Sequence, residues 1–182
     1  MFNHQNHSIE TAPEKSKPLL ELFTHAIGFV PNLDGAIVNS PVLANSLLGL
    51  FKNVHGGSFT EAEVQVLLLT NAVTNSSSWP VAFHTALGLK QGIDPADIQA
   101  IRERQIPKQK RYAALSGVAK KLIEKRGQLT DDDVTAFLEA GFEKEHLLEV
   151  VAVIAASTMT NYAGKITNPP LEAVLLEHAW RG

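Results

Sequence analysis

The sequence predicts an all-α fold. Apolar residues recur at three- and four-residue spacing in segment after segment. No stretch alternates apolar and polar residues between hairpin turns, as half-buried strands would. Proline, glycine and Ser/Thr caps divide the chain where helices start and stop.

Residues 1–16 are polar and read as a loose arm. Pro18 opens a helical pattern through Leu19, Leu20, Leu22, Phe23, Ala26 and Ile27, and Gly28 ends it. Gly28–Leu33 (G-F-V-P-N-L) is a turn whose Pro31 suits a first helical turn. Pro41 starts a helix that His55-Gly56-Gly57 stops. Thr60 caps the next helix, with Glu63 in the capping-box position. That helix is apolar over a broad arc from Val64 to Val73, which predicts burial on most sides. Ser76–Ser78 cap another helix, Pro80 fits its first turn, and Gly92 closes it. Asp94-Pro95 begins a short helix to Arg102, and Pro107 a longer one that Gly127 ends. Thr130 with Asp133 repeats the capping grammar, and Gly141 stops that helix. The shared grammar also accounts for the likeness of F-T-E-A-E-V-Q-V-L-L at 59–68 to L-T-D-D-D-V-T-A-F-L at 129–138. Glu143 to about Tyr162 reads as a long helix, apolar on nearly all sides from Val150 to Ala156 and expected at the centre of the core. Leu171–Trp180 reads as a closing helix.

The chain has 182 residues, ample for one domain with a buried core. Hydrophobic residues make up 45% and charged residues 19%, an ordinary globular balance. A net charge of −3 makes no general demand for nucleic acid or an anionic membrane. Nine of the 16 Lys and Arg lie between Arg102 and Arg126, but aromatic residues do not interleave repeatedly as a base-stacking surface would need, Tyr112 standing alone, so this reads as a solvated helix face. Met1–Glu10 has no apolar core of a signal peptide, and the longest apolar run, Val150–Ala156, is short for a membrane span. The expectation is a cytoplasmic protein without nucleic-acid or membrane partners. Cysteine is absent, so disulfides, thiolate metal sites and thiol nucleophiles are excluded. The seven histidines form no H-E-x-x-H and no i, i+4 pair; no metal or other cofactor is expected.

Asn75–His84 reads N-S-S-S-W-P-V-A-F-H, with Gly92 eight residues after the histidine. G-F-V-P-N-L, S-P-V-L-A at Ser40–Ala44 and F-T-E-A-E-V-Q precede it, and T-N-Y-A at Thr160–Ala163 follows. In this order and spacing, over roughly residues 28–165, the chain resembles the AhpD-like / carboxymuconolactone decarboxylase superfamily and is most similar to its peroxidase-related branch. The resemblance implies an AhpD-like helical bundle, here over residues 17–182, and a homo-oligomer. Apolar positions on the helices around 64–91 and 143–162 are consistent with such an interface.

The resemblance also implies an active site that this chain has lost. Family members carry C-x-x-C-x-x-x-H at a helix start, with a relay glutamate twelve residues before the first cysteine. Thiolate is the nucleophile, and the second cysteine resolves the sulfenic acid as a disulfide. Here the four positions are Gln65, Ser77, Pro80 and His84, and only the histidine matches. Ser77 cannot cycle through a sulfenic acid; it is either an acyl-transfer nucleophile with His84 as base, or simply a cap. Gln65 can hydrogen-bond His84 but cannot act as a base. His84 is either the remnant of a site or a core histidine among Val81, Ala82, Phe83, Ala86 and Leu87.

Two readings of function follow. In one, the chain keeps a small-molecule pocket at His84, shielded by Trp79 and Phe83. Ser77, Gln65 and His84 converge on it, and burial holds His84 neutral. The pocket then suits a small neutral or anionic ligand, with the anion favoured at the helix start. In the other, the chain is a non-enzymatic scaffold. A lactone decarboxylase-like lyase using His84 is a further alternative; its carboxylated substrate would need cations, of which the motif helices offer Lys52 and Lys90. Because no thiol is present, purified metal-free protein is expected to leave cumene hydroperoxide unreduced in the presence of dithiols. Catalytic turnover in a peroxide-consumption assay would contradict this.

Overall fold

The computed structural model describes residues 4–182. It is built from nine α-helices, α1 (Lys17–Ile27), α2 (Asn32–Ile37), α3 (Pro41–Val54), α4 (Glu61–Thr74), α5 (Ser78–Lys90), α6 (Pro95–Arg102), α7 (Lys110–Glu124), α8 (Asp131–Glu139) and α9 (Lys144–Thr167), with 3-10 turns at Glu14–Ser16 and Ala173–His178. No strand occurs among the described residues.

The helix boundaries follow from local chemistry. The Thr60 hydroxyl accepts from Glu63 N–H at 3.3 Å, and the Glu63 carboxylate accepts from Thr60 N–H at 3.0 Å, which closes the capping box of α4. Thr130 and Asp133 do the same for α8. Gly28, past the end of α1, takes φ +89°, a conformation that glycine adopts without a Cβ penalty. Pro31 stands just before α2 as its N-cap, not inside its first turn. Helix α7 begins at Lys110, three residues after the proline expected to start it, because the Gln109 side chain caps Tyr112 N–H at 2.7 Å. The closing helix expected over Leu171–Trp180 is a 3-10 helix limited to Ala173–His178.

Helix α4 is the centre of the fold. Eleven of its fourteen residues are buried, and it packs against α5, α6, α7 and α9. The expectation that the last long helix would be central is corrected here. Helix α9 runs on to Thr167 and keeps one apolar face outside: Leu148 (76% exposed), Val151 (50%), Tyr162 (56%) and Ile166 (64%), with Ala155 between them. Its opposite face carries Val150, Val153, Ala156 and Asn161 into the body. At 24 residues it has the length of a membrane crossing, yet its inner face is core.

Two apolar clusters result. One surrounds α4 with residues of α6 to α9; the other joins α1, α2 and α3 to Trp79 and Phe83 of α5. Residues 4–16, read from the sequence as a loose arm, dock on the second cluster. His7 N–H donates to Gly35 C=O at 3.0 Å, Asn39 donates to Gln5 C=O at 2.7 Å, and Ala12 and Ser16 are buried. The part of that expectation that concerns residues 1–3 lies outside the described residues. The basic stretch is largely engaged within the chain. Arg111 pairs with Glu63 at 2.7 Å, Lys121 with Asp133, and Arg102 donates to the carbonyls of His178 and Ala179.

Candidate functional site

Helices α4 and α5 are joined by only three residues, Asn75, Ser76 and Ser77. Ser76 makes the turn at φ +51°, and its hydroxyl accepts from Arg104 at 2.9 Å. So tight a hairpin lays the two helices side by side. It brings Gln65 of α4 against His84 of α5, where Gln65 Oε1 and His84 Nδ1 lie 2.9 Å apart. Both are almost fully buried, at 3% and 4% exposure. One turn after His84 on α5, Gly88 lets α6 approach: a Cβ there would lie 2.7 Å from Ile98 Cδ1.

His84 and Gln65 face a cavity of about 260 Å³ at the seam between the two apolar clusters. Its walls are Leu22, Phe23, Ala26 and Ile27 of α1, Phe51 of α3, Leu68 of α4, and Phe83 and Leu87 of α5. Lys52, His55, Glu61, Lys90 and Gln91 complete the lining. His55 Nδ1 meets Glu61 Oε2 at 2.9 Å, and the His55 ring stacks on Phe51. When Gln65 Oε1 accepts the Nδ1 proton, the lone pair lies on Nε2. Nε2 has no protein partner among the described residues and is not sealed from the cavity; the same is true of the Gln65 amide nitrogen. The floor therefore presents one acceptor and one donor.

Burial first, and the nearby His55 second, push His84 down to about 3. The imidazole is neutral at pH 7. As a base it is weak, and as an acid it carries almost no proton to give.

Ser77 is not part of this cavity. It is 2% exposed, and its hydroxyl does not cap α5; it donates to the Asn161 carbonyl of α9 at 3.2 Å. It lines a separate hollow of about 190 Å³ with Ser76, Ser78, Trp79, Gly164, Lys165, Asn168 and Pro169. The expectation that Ser77, Gln65 and His84 share one cavity is corrected: the last two do. The acyl-transfer arrangement lacks its nucleophile–base contact, because no hydrogen bond joins Ser77 to His84. Phe83 stands edge-on to His84 with centroids 5.4 Å apart and lines the cavity. Trp79 is one ring further away: it stacks on Phe83, and its Nε1–H donates to Glu172 at 3.1 Å. Among the described residues no three His, Asp or Glu side chains cluster as metal ligands.

His55 and Glu61 escaped the sequence reading. His55 figures there in a stop signal and among the seven histidines, and Glu61 only within the F-T-E-A-E-V-Q segment. Lys52 and Lys90 had been singled out as the cations of the motif helices, and the structure puts both on the cavity.

Most of the chain superposes on known structures. The AhpD core of an uncharacterized peroxidase-related protein from Ralstonia eutropha JMP134 matches with a TM-score of 0.82 at 17% identity, over 95% of this chain and 93% of that one. An uncharacterized peroxidase-related protein from Silicibacter sp. TM1040 matches with a TM-score of 0.77 at 18% identity, over 91% and 88%. A cysteine-to-alanine variant of the debrominase Bmp8, in complex with 2,3,4-tribromopyrrole, matches with a TM-score of 0.81 at 15% identity, over 98% and 96%. No family model matches the chain, and no curated protein matches its sequence. The likeness to these structures establishes an AhpD-like fold.

Two buried groups make stability depend on pH in opposite directions. His84 titrates near 6.5 when unfolded and near 3 when folded, so between those values the unfolded chain binds more protons and acidification favours unfolding. Asp34 on α2 is buried with Oδ1 unpartnered; burial, then Glu172, push it up to about 8. Its stabilising contribution is complete below the unfolded value of 3.8 and is lost as pH rises towards 8. Each pH unit crossed inside either window costs about 1.4 kcal/mol. Urea midpoints measured from pH 4 to 8 are expected to show a flatter acid limb in His84→Gln and a flatter alkaline limb in Asp34→Asn. An unchanged acid limb in His84→Gln would contradict the burial argument.

Proposed function

We propose that this chain, with its AhpD-like fold and no thiol, binds a small molecule in the cavity beside His84 without redox chemistry. The observation that carries this reading is the Gln65–His84 contact at the floor of an apolar cavity. Where the resemblance implies a charged proton relay, the chain has a neutral amide hydrogen-bonded to a neutral imidazole. Such a pair holds a fixed donor and acceptor towards a ligand but moves protons poorly. For the same reason the decarboxylase-like alternative loses ground, since it needs a proton donor and His84 is neutral. The Bmp8 variant, similar in fold, holds a small halogenated heteroaromatic molecule, a ligand size compatible with about 260 Å³ here. That volume lies below the ~300–1,000 Å³ typical of drug-sized sites, so a molecule of one or two rings fits.

Neutral 2-naphthol is expected to bind with one-to-one saturation by calorimetry. Ala26→Trp, at an exposed lining position, should fill the cavity and abolish binding while leaving the helical circular dichroism unchanged. Equal binding by the plugged variant would overturn the assignment.

A second reading, compatible with the first, concerns self-association. The apolar positions at 64–73 and along α5 are mostly buried within one chain, which leaves the outer stripe of α9 as the uncovered face. Leu148, Val151, Ala155, Tyr162 and Ile166 follow helical spacing, and contiguous exposed apolar surface of this kind marks an interface. A second copy of the chain is the proposed occupant. Sedimentation at micromolar concentration should give a species larger than a monomer, and Val151→Lys with Ile166→Lys should dissociate it. A monomeric wild type would exclude this.

A further inference from the structure

The polar groups around the cavity are of two kinds, and they are unevenly placed. At the floor are Gln65 and His84, neutral, buried and hydrogen-bonded to each other, each with one free polar atom. At the mouth are Lys52 and Lys90, both exposed. Neither lysine has an ion-pair partner within 4 Å among the described residues. The one acid in the lining, Glu61, is in contact with His55. The mouth is therefore locally positive on a chain whose net charge is −3.

This arrangement selects for chemistry and for orientation. A carboxylate at the floor would surrender its hydration to a neutral, apolar surround and find no cation there, which is costly. The same carboxylate at the mouth keeps its water and meets two ammonium groups. A hydroxyl at the floor can accept from the Gln65 amide and donate to His84 Nε2, which satisfies both groups at once. Between floor and mouth the rings of Phe23, Phe51 and Phe83 offer only apolar contact, suited to a flat ring.

We propose that the cavity takes a small hydroxylated aromatic acid, with its hydroxyl on Gln65 and His84 and its carboxylate at Lys52 and Lys90. The proposal rests on the reading of the cavity as a ligand site and adds to it the class of ligand and the direction in which it enters. The anion is bound at the C-terminal end of α5, by lysine side chains, and not at the helix start where the Ser77 backbone would favour one.

The test is a matched set of two-ring probes measured by calorimetry at pH 7: 6-hydroxy-2-naphthoate, 2-naphthol, 2-naphthoate and 6-(aminomethyl)-2-naphthol. The hydroxy acid is expected to bind about tenfold more tightly than either 2-naphthol or 2-naphthoate, and the amine weakest. Replacing both exposed lysines, Lys52→Gln with Lys90→Gln, should remove the advantage of the hydroxy acid over 2-naphthol. If 2-naphthol binds as tightly as the hydroxy acid, or if the double variant holds the acid as well as the wild type, the ligand class is wrong while the cavity remains a ligand site. If none of the four binds, the ligand-site reading falls, and this inference with it.

Discussion

Helix α4 has almost no side that can face water, and the rest of the molecule is arranged to cover it. Burying such a helix is favourable for its leucines and valines but costly for any polar group it carries unless a partner is supplied. It carries three such groups on its inner turns, and each is met by a different neighbour. Gln65 meets His84 of α5, Thr70 donates to Ser116 of α7 at 3.0 Å, and Asn71 accepts from Asn161 of α9 at 2.8 Å. Apolar packing favours several registers of these helices along α4, one ridge apart. The three polar contacts fix where each one stops, which is how buried polar groups specify an arrangement beyond stabilising it.

The same demand explains the character of the site. A glutamate at position 65 would place a charge beside a buried histidine, and the pair would be held by a charge-assisted hydrogen bond that favours the imidazolium. Glutamine removes the charge and keeps the geometry. With no carboxylate to favour the imidazolium, desolvation governs His84. The absence of thiols and the absence of an acid at position 65 are mutually consistent: a buried carboxylate with no thiol to activate would be only a charge to be stabilised.

Much of the fold was legible because its signals are local. Thr60 with Glu63, Asp94-Pro95, and the glycines at 28, 92, 127 and 141 act within a turn of their own position, and each marks a helix end in the structure. The motif segment led to His84 and Gln65. What could not be read depends on contacts between distant parts. Whether the apolar run in α9 faces inward or outward is decided by how much of it α4 leaves room for, and no periodicity records that. Ser77 looked like a helix cap because serine usually is one; the carbonyl of Asn161, 84 residues away, takes its proton instead. The T-N-Y-A echo held that clue without showing its use. The polar arm docks through backbone groups, Gln5 C=O and His7 N–H, which side-chain composition does not reveal.

Glu172 grips two places at once: the backbone N–H of Asn32 at 2.6 Å and the indole of Trp79. The first of these joins positions 140 residues apart. Closing so long a loop is slow to arise by chance, and on a ribosome it cannot arise at all until the far end exists. At ordinary elongation rates of ~5–20 residues per second, the start of α2 waits on the order of ten seconds for its partner. During that interval Leu33 and Ile37, which the finished molecule buries, belong to a half-built cluster with its last wall missing. The segment around Glu172 and Leu175 is thus the latch of the N-terminal half, and until it emerges those apolar side chains have water where their last neighbours will stand.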